Sequence, residues 1–152
     1  MLNRRSFLVS AAAAPVAFAA ATPALAMTPE IYAPDGIALK GYDTVAYFKQ
    51  ETHVKGSAAY KISWKGAEWH FASAENLADF TANPEAFAPQ YGGWCAFAVA
   101  HGATAKTDAD AWTLHDGKLY LNFNKSVRAK WRKDIPGFVA KADANWPAVL
   151  NG

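Results

Sequence analysis

Two short hairpin signals constrain the fold of this chain more than any other feature. Asp116-Gly117 lies between the alternating segments Trp112–His115 and Lys118–Leu121, and Asp-Gly in that setting is one of the strongest sequence signals for a tight antiparallel turn. Residues 60–64 and 68–71 form a second such pair, joined at Lys65-Gly66-Ala67. Their polar and apolar residues alternate with the period of a half-buried strand. The sequence therefore predicts two β-hairpins, separated by about 40 residues of chain.

Helix signals fill the space between and after the hairpins. Ser73 is a candidate N-cap for a helix that ends near Asn83, and Pro84 suits the first turn of a short helix that ends before Pro89. Three more helices are indicated. An alanine-rich segment after Cys95 predicts one that ends at Gly102, and Asn122 or Asn124 is a candidate N-cap for the next. The last helix is predicted to start at Asp134-Ile135-Pro136 and to end near Asn145. These signals predict a single α+β domain, in which a small antiparallel sheet built from β-hairpins packs with several short helices.

Residues 1–26 have the pattern of an export signal. The arginine pair Arg4-Arg5 lies near the N-terminus, and an apolar stretch follows at residues 9–21. Ala24-Leu25-Ala26 then has the small-x-small pattern of a cleavage site. The apolar stretch is interrupted by Pro15 and is too short and too weakly hydrophobic to span a bilayer. We therefore expect a cleaved twin-arginine signal peptide at residues 1–26, a periplasmic location, and no stable membrane insertion after cleavage.

Removal of that signal makes the mature chain electrically neutral. The whole chain has 15 basic and 13 acidic residues, and the loss of Arg4 and Arg5 leaves 13 of each. This balance gives no basic field for nucleic acid or an anionic membrane. Pro29, Pro34 and Asp35-Gly36 indicate an irregular lead-in at residues 27–36, and we place the folded domain at residues 37–150.

Cys95 is the only cysteine in the chain, which excludes an intramolecular disulfide. A free thiol in an oxidising compartment is buried, bound to something, or reactive. If Gly92-Gly93 opens a helix, the thiol lies in its first turn, where free N–H groups favour the thiolate and lower the thiol pKa. The alternative is that an apolar helix buries Cys95 as a small hydrophobic residue. The residues alone leave both interpretations open.

The other candidate ligands are histidines and one aspartate. His101 follows Cys95 by six residues, a rotation of about 240° on a regular helix, so the two side chains face different directions. His70 and His115 are weaker candidates, and Asp43 either caps a helical turn, sits in a turn of its own or belongs to the site. Zinc spacings, phosphate loops and dinucleotide fingerprints are absent, so we expect no nucleotide cofactor. One thiolate with one or two imidazoles is a ligand set that suits copper.

Several short motifs resemble a known family. They occur at residues 41–48, 55–56, 64–66, 71–76, 91–96, 116–122, 131 and 142–147, and include Gly41-Tyr42-Asp43 and Gly92-Gly93-Trp94-Cys95. Together they closely resemble the exported bacterial YHS-domain family, some members of which are described as selenoproteins. The resemblance implies a functional position at Cys95. Other YHS domains resemble metal-binding modules with cysteines around a Tyr-x-Phe-Cys-Ser segment, but here Ala72 stands where that cysteine would be.

The leading interpretation is a small periplasmic binding domain that holds a soft transition metal such as copper through the Cys95 thiolate, with His101 or another histidine brought near by the fold as the second ligand. The first alternative is a thiol-redox protein or sensor that acts through Cys95. The second is a non-catalytic scaffold that binds a small ligand or a protein through its aromatic residues, and this one is favoured if Cys95 is deeply buried. The sequence favours a binding domain over an enzyme.

Overall fold

The computed structural model describes residues 27–152, so the predicted signal peptide lies outside the described residues. Six α-helices and four β-strands occur in this part of the chain. In chain order they are α1 Thr44–Gln50, β1 Ser57–Trp64, β2 Ala67–Phe71, α2 Ala74–Ala82, α3 Pro84–Phe87, α4 Ala96–Ala100, β3 Trp112–His115, β4 Lys118–Leu121, α5 Lys125–Arg132 and α6 Ile135–Asn145. Short 3-10 turns cover Pro34–Gly36, Ala38–Gly41, Gln90–Gly93 and Ala148–Asn151. The predicted α+β class is confirmed.

Both predicted hairpins are present. β1 pairs with β2 in antiparallel register with Trp64 opposite Ala67, and β3 pairs with β4 with His115 opposite Lys118. Asp116 and Gly117 have φ values of 50° and 71°, which are the left-handed conformations that a two-residue hairpin turn requires. Within residues 27–152 the hairpins form two separate two-stranded sheets rather than one.

The predicted helix caps are formed by side-chain oxygens. Ser73 accepts a hydrogen bond from the Asn76 N–H at 3.1 Å, and α2 ends at Ala82 as expected. Of the two candidates for α5, Asn124 is the cap, since its oxygen accepts from the Val127 N–H at 2.8 Å. Each cap satisfies a main-chain donor that the first helical turn leaves without a partner.

Gly92-Gly93 does not open the helix that follows Cys95. Tyr91, Gly92 and Gly93 all have positive φ, at 58°, 62° and 86°, and they form a turn that ends before the helix. The turn is fixed from outside, because the Gly92 carbonyl accepts from the Tyr32 N–H at 2.9 Å. α4 begins only at Ala96 and Cys95 precedes it as the N-cap residue. The turn at these glycines therefore lets the lead-in segment pass close to the main chain at Gly92.

The C-terminal end of α4 is as predicted. Gly102 has a φ of 79°, its N–H bonds the Val99 carbonyl, and the Ala103 N–H bonds the Ala98 carbonyl, both at 3.0 Å. This pair of bonds is a Schellman motif with glycine at C′.

Two apolar clusters form the core, and the segment before α4 runs between them. The first joins the first hairpin, α1 and α2 with β4, and its largest buried members are Tyr47, Trp69, Phe71 and Phe80. The second joins α4, α5 and α6 under Tyr120 and Trp131. Trp94 packs against both clusters. Within residues 27–152 no helix has the length and apolar character needed to cross a membrane.

Candidate functional site

Cys95 lies inside the protein, at the junction between the Gly92 turn and α4. Only 1 % of the surface of Cys95 is exposed to solvent. Its N–H donates to the Ala105 carbonyl at 3.0 Å, and its carbonyl accepts from the Val99 N–H at 3.0 Å. Both main-chain groups are therefore satisfied, and the side chain is held inward by the start of α4 on one side and by the 103–107 segment on the other.

The polar partner of the thiol is Asn122, the residue directly after β4. Asn122 is fully buried, and its Oδ1 accepts the Cys95 thiol at 3.5 Å and the Phe97 N–H at 3.0 Å. Its Nδ2 has no hydrogen-bond partner among the described residues. The second hairpin thus places the Asn122 amide next to the sulfur. The Oδ1 atom of this amide is hydrogen-bonded, whereas its Nδ2 atom has no acceptor among the described residues.

Burial raises the pKa of the Cys95 thiol above its ordinary value. The main-chain N–H groups of Ala98, Phe123 and Phe97 act in the opposite direction, because each of them stabilises the thiolate. Burial is the larger effect, so the protein holds Cys95 as a neutral thiol at neutral pH. This is the buried alternative for Cys95, and the lowered pKa expected from a helix start does not occur.

His101 is on the surface at the end of α4. Its Nδ1 donates to the Phe97 carbonyl at 2.7 Å, and its ring lies 4.3 Å from the Phe97 ring, centroid to centroid. The Cys95 sulfur is buried and engages Asn122, whereas the His101 ring is exposed and engages Phe97. The described contacts do not join the two side chains of the predicted pair.

The weaker histidine candidates each have an acidic neighbour. His70 Nε2 lies 2.7 Å from Glu68 Oε2, and Glu68 Oε1 lies 3.1 Å from Lys61 Nζ. The hydrogen bond to His70, followed by that to Lys61, lowers the pKa of Glu68. His115 Nε2 lies 3.3 Å from Asp116 Oδ2 beside the hairpin turn. His70 is nearly buried, with Gly41 packed against its ring, and its environment is that of a satisfied structural histidine.

Asp43 is the cap of α1 and also the link between α1 and α2. Its Oδ1 accepts the N–H groups of Val45 at 2.8 Å and Ala46 at 3.1 Å. Its Oδ2 accepts the Ala72 N–H and the Asn76 Nδ2, both at 2.8 Å. The carboxylate is fully buried, and four donors surround it. Asp43 therefore fixes the architecture of the Gly41-Tyr42-Asp43 motif.

A groove opens beside Trp94, the residue before Cys95 in the chain. Its volume is about 390 Å³, and the Tyr32 and Trp94 rings in its wall lie 5.1 Å apart. The Trp94 Nε1 donates to the Pro29 carbonyl at 3.0 Å, which ties the indole to the lead-in segment. The rest of the wall is apolar except for one cation, Lys65, whose Nζ lies 2.8 Å from Glu30 Oε1.

Sequence reasoning identified only part of this groove. Trp94, one of the aromatic residues through which the scaffold alternative would bind a ligand, lines the groove, whereas Trp69 is buried in the core. Tyr32, in the predicted irregular lead-in, was missed. No local signal marks it, because its place in the wall depends on the pairing of the lead-in with Gly92.

Comparison with known proteins gives one family match. The YHS domain matches residues 45–91. The match covers less than half of the chain. No curated protein and no solved structure matches the chain.

The matched segment runs from α1 to the turn at Tyr91 and covers the first hairpin, α2 and α3. YHS domains are commonly linked to metal binding, copper included. Cys95 lies four residues beyond the matched segment, which contains no cysteine. The link to metal therefore does not extend by position to the thiol.

The described residues do not present a ready metal centre. Across residues 27–152 no three or more His, Cys, Asp or Glu side chains lie together in a group that could hold a metal ion. The groups placed at the Cys95 sulfur are an amide and main-chain N–H donors, and N–H donors are not ligands for a cation. A preformed three-ligand copper site at Cys95 does not fit these residues.

Proposed function

We propose that this protein is a non-catalytic binding module, whose ligand site is the groove lined by Trp94 and Tyr32. The observation that supports it most directly is the groove itself. Sites for small molecules are concave, mostly apolar and partly aromatic, with few polar groups, and have volumes of about 300–1,000 Å³. The groove meets these criteria, and Cys95 is deeply buried, which is the condition under which the sequence favours a scaffold.

The chemistry of the wall selects the ligand class. Trp94 offers a partly exposed aromatic face with the buried Tyr32 ring packed against it, and Lys65 is the single charged residue that lines the groove. The hydrogen bond to Glu30 raises the pKa of Lys65 and keeps it protonated. We infer an apolar, preferably aromatic, ligand that carries an anionic group, which would share the Lys65 ammonium with Glu30.

Titration with anilinonaphthalene sulfonate, a fluorescent aromatic anion, tests the groove. Trp94→Ala removes one wall, and Ala33→Phe fills the groove without removing a core side chain. Each is expected to weaken binding about tenfold or more, which corresponds to 1.4 kcal/mol. Phe123→Ser is the matched control, because Phe123 is an exposed aromatic residue outside the groove. Unchanged affinity in Ala33→Phe, or a loss in Phe123→Ser alone, would refute the assignment.

A second candidate function is the binding of a soft metal ion, above all copper, with the Cys95 thiolate and an imidazole such as that of His101 as ligands. The YHS match favours metal binding but not a particular ligand, since Cys95 lies outside the matched residues 45–91. The thiol is the candidate ligand because thiolate is a ligand that Cu(I) prefers. Cu(I) stoichiometry and affinity are measured for the wild type, Cys95→Ser and His101→Ala. Equal values in the three proteins would exclude both side chains as ligands.

We also propose that the protein is periplasmic and is exported by the twin-arginine route with cleavage after Ala26. The support is the sequence pattern of residues 1–26. Cell fractionation should find the wild type in the periplasm with Met27 at its N-terminus, and the double change Arg4→Lys with Arg5→Lys should retain it in the cytoplasm. An uncleaved N-terminus, or unchanged export of the double variant, would contradict the proposal.

A further inference from the structure

The Asn122 amide, which lies next to the Cys95 sulfur, has one hydrogen-bonding atom without a partner among the described residues. Its Oδ1 receives both the Phe97 N–H and the Cys95 thiol, but its Nδ2 meets no acceptor among the described residues although Asn122 is fully buried. Buried amide donors nearly always have a partner. The Nδ2 atom, attached to the same carbon as Oδ1, therefore marks a place beside the sulfur that suits a small hydrogen-bond acceptor.

The surroundings of the sulfur favour the same kind of atom. Three main-chain N–H groups, those of Ala98, Phe123 and Phe97, act on the thiol in the sense that stabilises negative charge. No acidic side chain is among the groups that affect it. An electronegative atom attached to the sulfur would thus lie close to these main-chain N–H donors.

We propose that Cys95 accepts a single oxygen atom from a hydroperoxide and that the Asn122 amide holds the resulting sulfenic acid. In this step the sulfur attacks one peroxide oxygen, the O–O bond breaks and an S–O bond forms. The thiol proton goes to the departing oxygen, so that the thiol and a hydroperoxide give a sulfenic acid and an alcohol, or water when the oxidant is hydrogen peroxide. The sulfur is oxidised by two electrons and the peroxide is reduced by two.

The sulfenic acid and the amide are complementary. An S–O–H group has one donor and one acceptor on the same oxygen, and the amide edge offers the acceptor Oδ1 beside the donor Nδ2. The O–H donates to Oδ1 in place of the thiol, and the sulfenic oxygen accepts from Nδ2. Oxidation thus supplies the acceptor for Nδ2 and retains a donor to Oδ1.

The position of Cys95 also protects the product. Sulfenic acids are usually lost by condensation with a second thiol or by further oxidation to sulfinic acid. The chain contains no second cysteine, and 1 % exposure of Cys95 restricts both outside thiols and further peroxide. Entry of the first peroxide requires local opening, so the oxidation is slower than that of a free cysteine and its product is long-lived.

The experiment exposes the full chain to hydrogen peroxide and follows it by peptide mapping, which separates oxygen at Cys95 from oxygen at Met1 and Met27. We expect one added oxygen at Cys95 in the wild type and none at that position in Cys95→Ser. Dimedone, which traps sulfenic acids, should label the oxidised wild type after unfolding in urea but not in the folded state. A Cys95 that stays unmodified while the unfolded chain is oxidised overturns the proposal, as does dimedone labelling at equal rates in both states.

Asn122→Asp isolates the role of the amide. Asp keeps an oxygen acceptor for the Phe97 N–H but removes the Nδ2 donor, so the sulfenic acid should persist for a time about tenfold shorter, the effect of a hydrogen bond of about 1.4 kcal/mol. Asn124→Asp introduces the same charge at the α5 cap, away from the sulfur, and should match the wild type. Equal lifetimes in Asn122→Asp and the wild type overturn the proposal. If Asn122→Asp loses its far-UV circular dichroism, the comparison of folded and unfolded wild type decides.

Discussion

The carboxylate of Asp43 is buried and holds α1 and α2 together. It accepts four hydrogen bonds, two that start α1 and two that connect to Ala72 and the α2 residue Asn76. Since Asp43 is fully buried, water cannot replace it when it is removed. We predict that Asp43→Ala destabilises the protein far more than the loss of an ordinary helix cap.

The magnitude follows from the four contacts. Loss of a cap costs about 1 kcal/mol, and each buried donor left without an acceptor costs about 1–3 kcal/mol. Asp43→Ala loses the cap and also leaves Ala72 N–H and the Asn76 amide without their acceptor, so the expected loss is about 3–7 kcal/mol. Asp43→Asn keeps a cap oxygen, and Asn76 can rotate its amide to accept from the new Nδ2. Only Ala72 N–H then lacks a partner, and the expected loss is about 1–3 kcal/mol.

Urea unfolding, followed by tryptophan fluorescence and far-UV circular dichroism, measures these losses by linear extrapolation. Asp134→Ala is the matched control, because Asp134 is also an N-cap aspartate but makes a single exposed cap bond to Gly137 N–H at 3.1 Å. It should cost about 1 kcal/mol or less. The reasoning is refuted if Asp43→Ala costs no more than Asp134→Ala, or if Asp43→Asn is more destabilising than Asp43→Ala.

Three further predictions concern the glycines, a tyrosine and the thiol. Gly92→Ala should lower the free energy of unfolding by about 3 kcal/mol or more, because the added Cβ would lie 1.7 Å from the Glu30 carbonyl oxygen. Gly102 has a similar positive φ but open space around it, so Gly102→Ala should cost only about 1–2 kcal/mol. Equal urea midpoints for the two variants would contradict this. Burial and the 2.8 Å hydrogen bond to Asp143 raise the pKa of Tyr91 above 10.0, so its contribution to stability is complete below pH 10 and is lost above it, by about 1.4 kcal/mol per pH unit. Tyr91→Phe should therefore be less stable at pH 7 but lose less stability between pH 10 and 11, and parallel pH curves would exclude Tyr91 as a source of this loss. Alkylation of Cys95 by iodoacetamide should be slow in the folded protein and fast in urea, because the thiol is 1 % exposed with a raised pKa; similar rates in both conditions would rule out the buried thiol.

The local elements of this fold were predictable because their signals are local. Asp116-Gly117 selects a two-residue turn through its own backbone preferences, and Ser73, Asn124 and Asp134 cap helices through oxygens that reach only three residues ahead. The Gly102 end of α4 is of the same kind. Where a residue acts on its near neighbours in the chain, the sequence contains the whole interaction.

The Gly92 turn shows why other parts were not predictable. The two glycines suggested a helix start, but their conformation is set by the lead-in chain that crosses them, about 60 residues earlier in the sequence. Asp43 is similar, since only half of its four bonds are local and the other half come from Ala72 and Asn76. The local cap was a stated alternative, but the link to α2 had no local signal.

For the candidate site, the sequence by itself determined that one thiol exists, that no second cysteine can pair with it, and that a neutral mature chain follows if the signal is removed. Only the tertiary structure decided that this thiol is buried, that Asn122 rather than His101 is its polar partner, and that Trp94 faces a groove with Tyr32. The physical reason is that burial and long-range hydrogen bonds depend on which surfaces meet when the two hairpins and the helices pack. Composition and local preference determine which groups are available, and packing determines which of them touch.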